Sequence, residues 1–199
     1  MENIVSFSTI NKHAAPGWLS EWSINQKTSA IRFTAAQGNF LARPVRRIEG
    51  SFKVYDALIQ ANTEDFSGAN IHMIIEADSI NTGKRKRDRH LQSEQFLCVR
   101  QFPFLRFRSC SFEKAGQNKY ILEGELSIRG MTRRVVVDVT YKTAVDGKTG
   151  EETVCFECVF QINRQDYGLQ SNMFFEVFVE KEITVQLELH FSRLPGVIF

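Results

Sequence analysis

The amino-acid sequence predicts an all-β fold, an antiparallel β-barrel of about eight strands with a short helix. Three observations carry this expectation. Apolar and polar residues alternate with a period of two through most of the chain. Turn signals, rather than helical stretches, separate the alternating runs. Finally, 17 phenylalanines stand against 4 tyrosines and 2 tryptophans, a large apolar payload with no polar handle.

In chain order, the first runs are IRF and SFKVY, which place Ile31, Phe33, Phe52 and Val54 inward. IHMIIEAD puts Ile71, Met73 and Ile75 on one side, with Ile74 interrupting the alternation. RDRHLQSEQFL is the exception to the strand pattern, and a short helix is expected there. LRFRS sets Leu105 and Phe107 against Arg106 and Arg108, and YILEGELSI sets Tyr120, Leu122, Leu126 and Ile128 against Glu123, Glu125 and Ser127. VVVDVTYK gathers Val135, Val137, Val139 and Tyr141 on one face. CFECVFQI gathers Phe156, Cys158, Phe160 and Ile162, and ITVQLELHF gathers Ile183, Val185, Leu187, Leu189 and Phe191. Turns are expected at Gly116-Gln117-Asn118, Arg129-Gly130 and Asp146-Gly147-Lys148-Thr149-Gly150. Strands with one wet and one dry face close into a sandwich or a barrel. With no repeat, low-complexity tract or linker, residues 1–199 read as one domain.

Composition narrows function without naming it. Net charge is +2, too balanced for nucleic acid as a partner. The start, MENIVSFSTINKHAAPGW, lacks a basic region followed by an apolar run, and no apolar stretch is long enough to span a bilayer as a helix. The chain therefore reads as cytoplasmic, or as periplasmic where a leader has been removed. The phenylalanines fit either a packed core or a cavity lined with rings.

Motifs for catalysis and metals are missing. His13, His72, His90 and His190 have no metal-ligand spacing, and there is no P-loop, G-x-G-x-x-G, G-x-S-x-G or zinc-protease helix. Cys155 and Cys158 have C-x-x-C spacing, but residues three apart on a strand face opposite ways, so no metal site is expected. The run Lys84-Arg85-Lys86-Arg87-Asp88-Arg89 is the sharpest charge feature. A solvated loop is its ordinary reading, and contact with phosphate or an anionic membrane its functional one.

Several segments together resemble the YceI-like family of isoprenoid-binding, lipocalin-like proteins. The central one is SINTGKRKRDRHLQSEQFLCVRQFPFLRFRS, through Ser79, Ile80, Thr82, Gly83, Arg87, Asp88, His90, Leu91, Ser93, Phe96, Phe102, Pro103 and Phe107. LSIRGMTRRV matches through Leu126, Ile128, Gly130 and Thr132. INRQDYGL matches through Asn163, Arg164, Asp166, Tyr167, Gly168 and Leu169. Trp22, Ile24, Ser29, Ile31 and Phe33 are similar to the family's first strand, and Ile48, Gly50 and Phe52 to its second. The ordered set spans residues 20–192. Thr28, Ala35, Ala36, Arg129 and Glu180 depart from the family pattern, at positions that bear on polar-head contacts. The resemblance implies a lipocalin-like barrel whose hydrophobic pore holds a polyisoprenoid or similar amphiphile, with no catalytic residues and no cofactor.

The expected ligand-binding residues are Phe33, Phe52, Met73, Ile75, Phe107, Leu122, Leu126, Ile128, Val137, Val139, Phe160, Val185 and Leu187. The expected role is binding, with transport or storage, of an isoprenoid-like or fatty lipid. Transient membrane contact and a homodimer are the further partners considered. Arg87, Asp88 and His90 either brace a loop or meet a ligand head, with bracing favoured, and Arg164 and Asp166 are read the same way. Two alternatives stand beside this: an enzyme acting on an apolar substrate inside the barrel, and an interaction protein with a filled core.

Overall fold

The structure is a computed structural model, which describes residues 19–39, 43–145, 152–169 and 179–195. His13 and the expected turn at Asp146-Gly150 lie outside the described residues. Eleven strands belong to one antiparallel sheet: β1 (Ser20–Ile24), β2 (Ala30–Asn39), β3 (Arg43–Phe52), β4 (Tyr55–Ala61), β5 (Asn70–Glu76), β6 (Ile80–Asn81), β7 (Phe104–Gly116), β8 (Lys119–Ile128), β9 (Met131–Val145), β10 (Glu152–Asn163) and β11 (Val179–Arg193). Helix α1 (Arg85–Gln92) stands between β6 and β7.

The sheet closes into a barrel of eight strands, because β11 pairs with β1 through Ile24↔Phe191 and Trp22↔Arg193 while β1 pairs onward to β4, β5 and β7. The other three strands continue barrel strands past kinks. β1 and β2 both run along β11, interrupted at residues 25–29, where Asn25 N–H donates to the His190 carbonyl (2.7 Å) and His190 N–H donates to Ser29 Oγ (2.8 Å). Likewise β3 continues into β4 across residues 53–54, and β5 into β6 across the 3₁₀ turn Ala77–Ser79. The pairing is thus an up-and-down meander, the simplest closed arrangement for sequential antiparallel strands.

The kink at residues 53–54 corrects one expectation. SFKVY is not a single strand, since Lys53 N–H turns aside to Ser79 (3.2 Å). The bend resets the alternation, so Phe52 faces the interior cavity and Val54 does not line it. Ile74, by contrast, does not disturb its strand: β5 alternates cleanly, with Ile71, Met73 and Ile75 buried.

The two barrel ends differ. At one end, the loop of residues 62–69 turns inward and buries Phe66, which sits at φ 62°, to 2% exposure. Its ring meets Trp22 (5.3 Å), Tyr141 (5.7 Å) and Phe156 (5.5 Å) between centroids. Phe112 stacks on Tyr120 (4.6 Å), and Phe156 meets Phe112, Tyr141 and Phe191 within 6.0 Å. These rings plug that end with edge-on and offset contacts that aromatic quadrupoles favour. Their polar tips are satisfied: Tyr120 Oη donates to the Asp65 carbonyl (2.5 Å). At the other end are the β8–β9 turn, the 3₁₀ turn Arg164–Tyr167 and α1. The β8–β9 turn places Arg129 (φ 51°) and Gly130 (φ 73°) both in left-handed conformation, the tight hairpin that suits strand twist.

Candidate ligand-binding site

Between the plug and α1 lies a cavity of about 640 Å³, within the range of small-molecule sites. All thirteen residues expected to bind ligand line it. Five of them, Met73, Ile75, Ile128, Val137 and Val139, are buried in the walls. The other eight, Phe33, Phe52, Phe107, Leu122, Leu126, Phe160, Val185 and Leu187, are only half-buried although they face inward. They retain accessible surface because the space before them is open.

Two glycines let the large rings lie flat against the wall. A Cβ on Gly50 would sit 2.2 Å from Phe33 Cζ, its cross-strand partner. A Cβ on Gly124 would sit 2.4 Å from Phe107 Cζ and 2.6 Å from the Arg108 carbonyl oxygen. Glycine inside a strand commonly marks such a close approach.

The cavity also takes residues that the alternation did not place there. Phe112 has the wrong parity relative to Leu105 and Phe107, but a bulge leaves Cys110 unpaired between Ser109↔Gly124 and Ser111↔Glu123. The extra residue flips the strand face and carries Phe112 inward. Phe112, Phe156 and Phe191 form the cavity floor, on the plug. On the opposite side, Lys84, Lys86, Arg87, His90 and Leu91 come from the helical segment, and Phe96 and Leu97 from the chain after it.

The basic run is therefore helical rather than a loop. The helix begins at Arg85, two residues before the expected segment, and stops at Gln92. Asp88 in its first turn suits the positive end of the helix, and Arg89 and His90 suit the other. Arg87 and Asp88 do brace the chain, though not by pairing with each other. Asp88 Oδ1 accepts from Thr82 N–H (2.8 Å) and Thr82 Oγ1 (2.5 Å), while Arg87 Nε and Nη2 donate to Thr82 Oγ1 (2.7 Å) and the Thr82 carbonyl (2.8 Å). Arg164 braces similarly, donating to the Leu169 (2.6 Å) and Glu180 (3.2 Å) carbonyls while 3% exposed. Asp166 is exposed. Arg129 spans three segments, donating from the hairpin turn to the Gly168 (2.5 Å) and Glu94 (2.9 Å) carbonyls.

The chemistry of the lining is narrow. Among the described residues, no Asp, Glu, Ser, Thr, Asn or Gln lines the cavity. Burial pushes the Cys158 thiol up to about 12, so it stays protonated. Cys155 lies on the opposite strand face, its Sγ 3.6 Å from His190 Nε2. No group of three metal-ligating side chains occurs among the described residues.

Comparison with known proteins agrees with this geometry. The family model for the YceI-like domain matches residues 22–191. A UPF0312 protein of Staphylococcus aureus is 28% identical over 152 residues, covering 74% of this chain and 86% of its own. Protein YceI of Salmonella arizonae is 27% identical over 124 residues, 62% of this chain and 64% of its own. Among solved structures, BcnA of Burkholderia cenocepacia superposes with a TM-score of 0.69 at 22% identity, covering 84% of this chain and 98% of that one. A polyisoprenoid binding domain from Saccharophagus degradans gives 0.66 at 12% identity, covering 87% and 98%. The fold is shared with these barrels, and the chain belongs to the YceI-like domain family.

Proposed function

We propose that this protein binds a long-chain isoprenoid or similar amphiphilic lipid in the barrel cavity, as a carrier or store rather than a catalyst. The observation that carries the proposal is the open cavity of about 640 Å³ with an almost wholly apolar wall. The polyisoprenoid binding described for the Saccharophagus degradans domain supports the choice of ligand class. Affinity would come from burial. A tail of about fifteen carbons gains on the order of 12 kcal/mol gross, at about 0.8 kcal/mol per buried methylene. Association costs of roughly 4–15 kcal/mol oppose this, so preformed walls matter.

An enzymatic role needs a nucleophile or base held with a partner at the reacting atoms. Among the described residues, the lining offers a protonated thiol and one imidazole, His90, and no carboxylate. A filled-core interaction protein would not leave eight inward apolar side chains half-exposed. Native mass spectrometry of the purified protein, before and after exposure to farnesol and longer polyprenols, tests the proposal. The expected result is one lipid per chain. Lipid-free protein that takes up none of them would overturn it.

A further inference from the structure

The ionisable groups on the cavity wall are one-sided. Apart from Cys158, they are Arg32, Lys84, Lys86, Arg87, His90, Arg106 and Arg164, with no carboxylate among the described residues. Most of the cations already have protein partners. Arg32 pairs with Glu188 (3.4 Å), Arg106 stands 5.2 Å over the Phe104 ring, Arg87 is held by Thr82, and Arg164 is held by two backbone carbonyls. Lys84 and Lys86 differ. Both are exposed, both line the cavity, and no ion pair joins either among the described residues. They stand where the apolar volume meets solvent, the place an amphiphile's head takes when its tail is buried.

We infer that the ligand carries an anionic head, a phosphate or a carboxylate, which seats against Lys84 and Lys86 at the start of α1; this rests on the lipid-binding reading of the cavity. A neutral alcohol can accept a hydrogen bond from an ammonium group but brings no opposite charge to it. An anion gains charge-assisted hydrogen bonds from both, without displacing an existing ion pair. Arg85 and Arg89 belong to the same helix and are exposed, but do not line the cavity, so they separate a seat from a general positive field.

The test compares hexadecyl phosphate, palmitate, hexadecanol and inorganic phosphate by calorimetric titration. At least one of the two anionic amphiphiles is expected to bind about tenfold or more tightly than hexadecanol, the gain of one hydrogen bond to a charged group. Which one leads names the head. K84Q/K86Q should bring that preference to within about threefold, and R85Q/R89Q should keep it. Inorganic phosphate should bind at least about a hundredfold more weakly than hexadecyl phosphate, because it brings no tail. Hexadecanol binding as tightly as both anions would overturn the inference and leave the lipid-binding reading standing. So would equal loss of preference in both double variants, or inorganic phosphate matching hexadecyl phosphate. No binding by any of the three amphiphiles would overturn the lipid-binding reading itself, and this inference with it.

Discussion

Phe112 and Phe160 are the same residue type, both on inward faces of long antiparallel strands, yet they do opposite things. Phe112 is 1% exposed, stacked on Tyr120 and edge-on to Phe156 at the plugged end. Phe160 is half-buried against open volume at the other end. One barrel thus holds a solid aromatic core and an aromatic-lined cavity end to end. The difference comes from what enters each end. The loop of residues 62–69 drives Phe66 among the rings of the plug. At the other end Tyr167 is buried without lining the cavity, and α1 has no buried residue. Burial at the plug stabilises the fold, while the apolar surface left open at the cavity is where the proposed ligand would lie.

The largest expected consequence of this division is in stability. Phe112→Ala should cost about 3–5 kcal/mol in denaturant unfolding, the range for a fully packed ring. Phe160→Ala should cost roughly 1–2 kcal/mol, since much of its surface is already accessible. Equal losses would mean that the two ends are packed alike. Next are the glycines behind the rings. Gly124→Ala should cost about 1–3 kcal/mol, because its new Cβ meets a backbone carbonyl as well as Phe107. The atoms nearest a Gly50→Ala Cβ all belong to the movable Phe33 ring, so the substitution should cost less than about 1 kcal/mol, with a smaller cavity as its main effect. A milder probe is pH. Asp65, beside Phe66, is lowered from 3.8 to about 2 by the Ser67 backbone N–H and then by Lys114. Because the folded value is the lower one, the stability it lends the plug loop is present above about pH 4 and fades between 4 and 2. Near-ultraviolet circular dichroism should show the aromatic signal weakening across that window in the wild type. Asp65→Asn should remove that pH dependence. The smallest effect is in thiol chemistry. Cys158, held protonated by burial, should label with a maleimide far more slowly than the exposed Cys110.

Much of the wall was legible in the sequence, because a half-buried strand must alternate and Val185, Leu187, Leu126 and Phe160 do. Four kinds of feature were hidden. β4 reads Tyr55-Asp56-Ala57-Leu58-Ile59 and is buried throughout that stretch, so it has no period of two to detect. Bulges and kinks break parity: Cys110 brings Phe112 inward, and the bend at residues 53–54 removes Val54 from the wall. Lys84 and Lys86 looked like surface charge because their relation to the cavity depends on where α1 docks, against β6. Which phenylalanines plug and which line was equally out of reach. That depends on Phe66, far from all of them in sequence, adopting a positive φ inside the barrel.

The division between plug and cavity is tested most directly by methyl NMR during titration with a polyprenol. Val185, Ile183 and Leu126 face the open volume; Val154 is 1% exposed and does not line it; Val136 and Val159 are 63% exposed on the outer surface. Large shift changes at the first three, with Val154, Val136 and Val159 nearly unmoved, are the predicted result. Changes confined to Val136 and Val159, or none at any site, would contradict a ligand held inside the barrel.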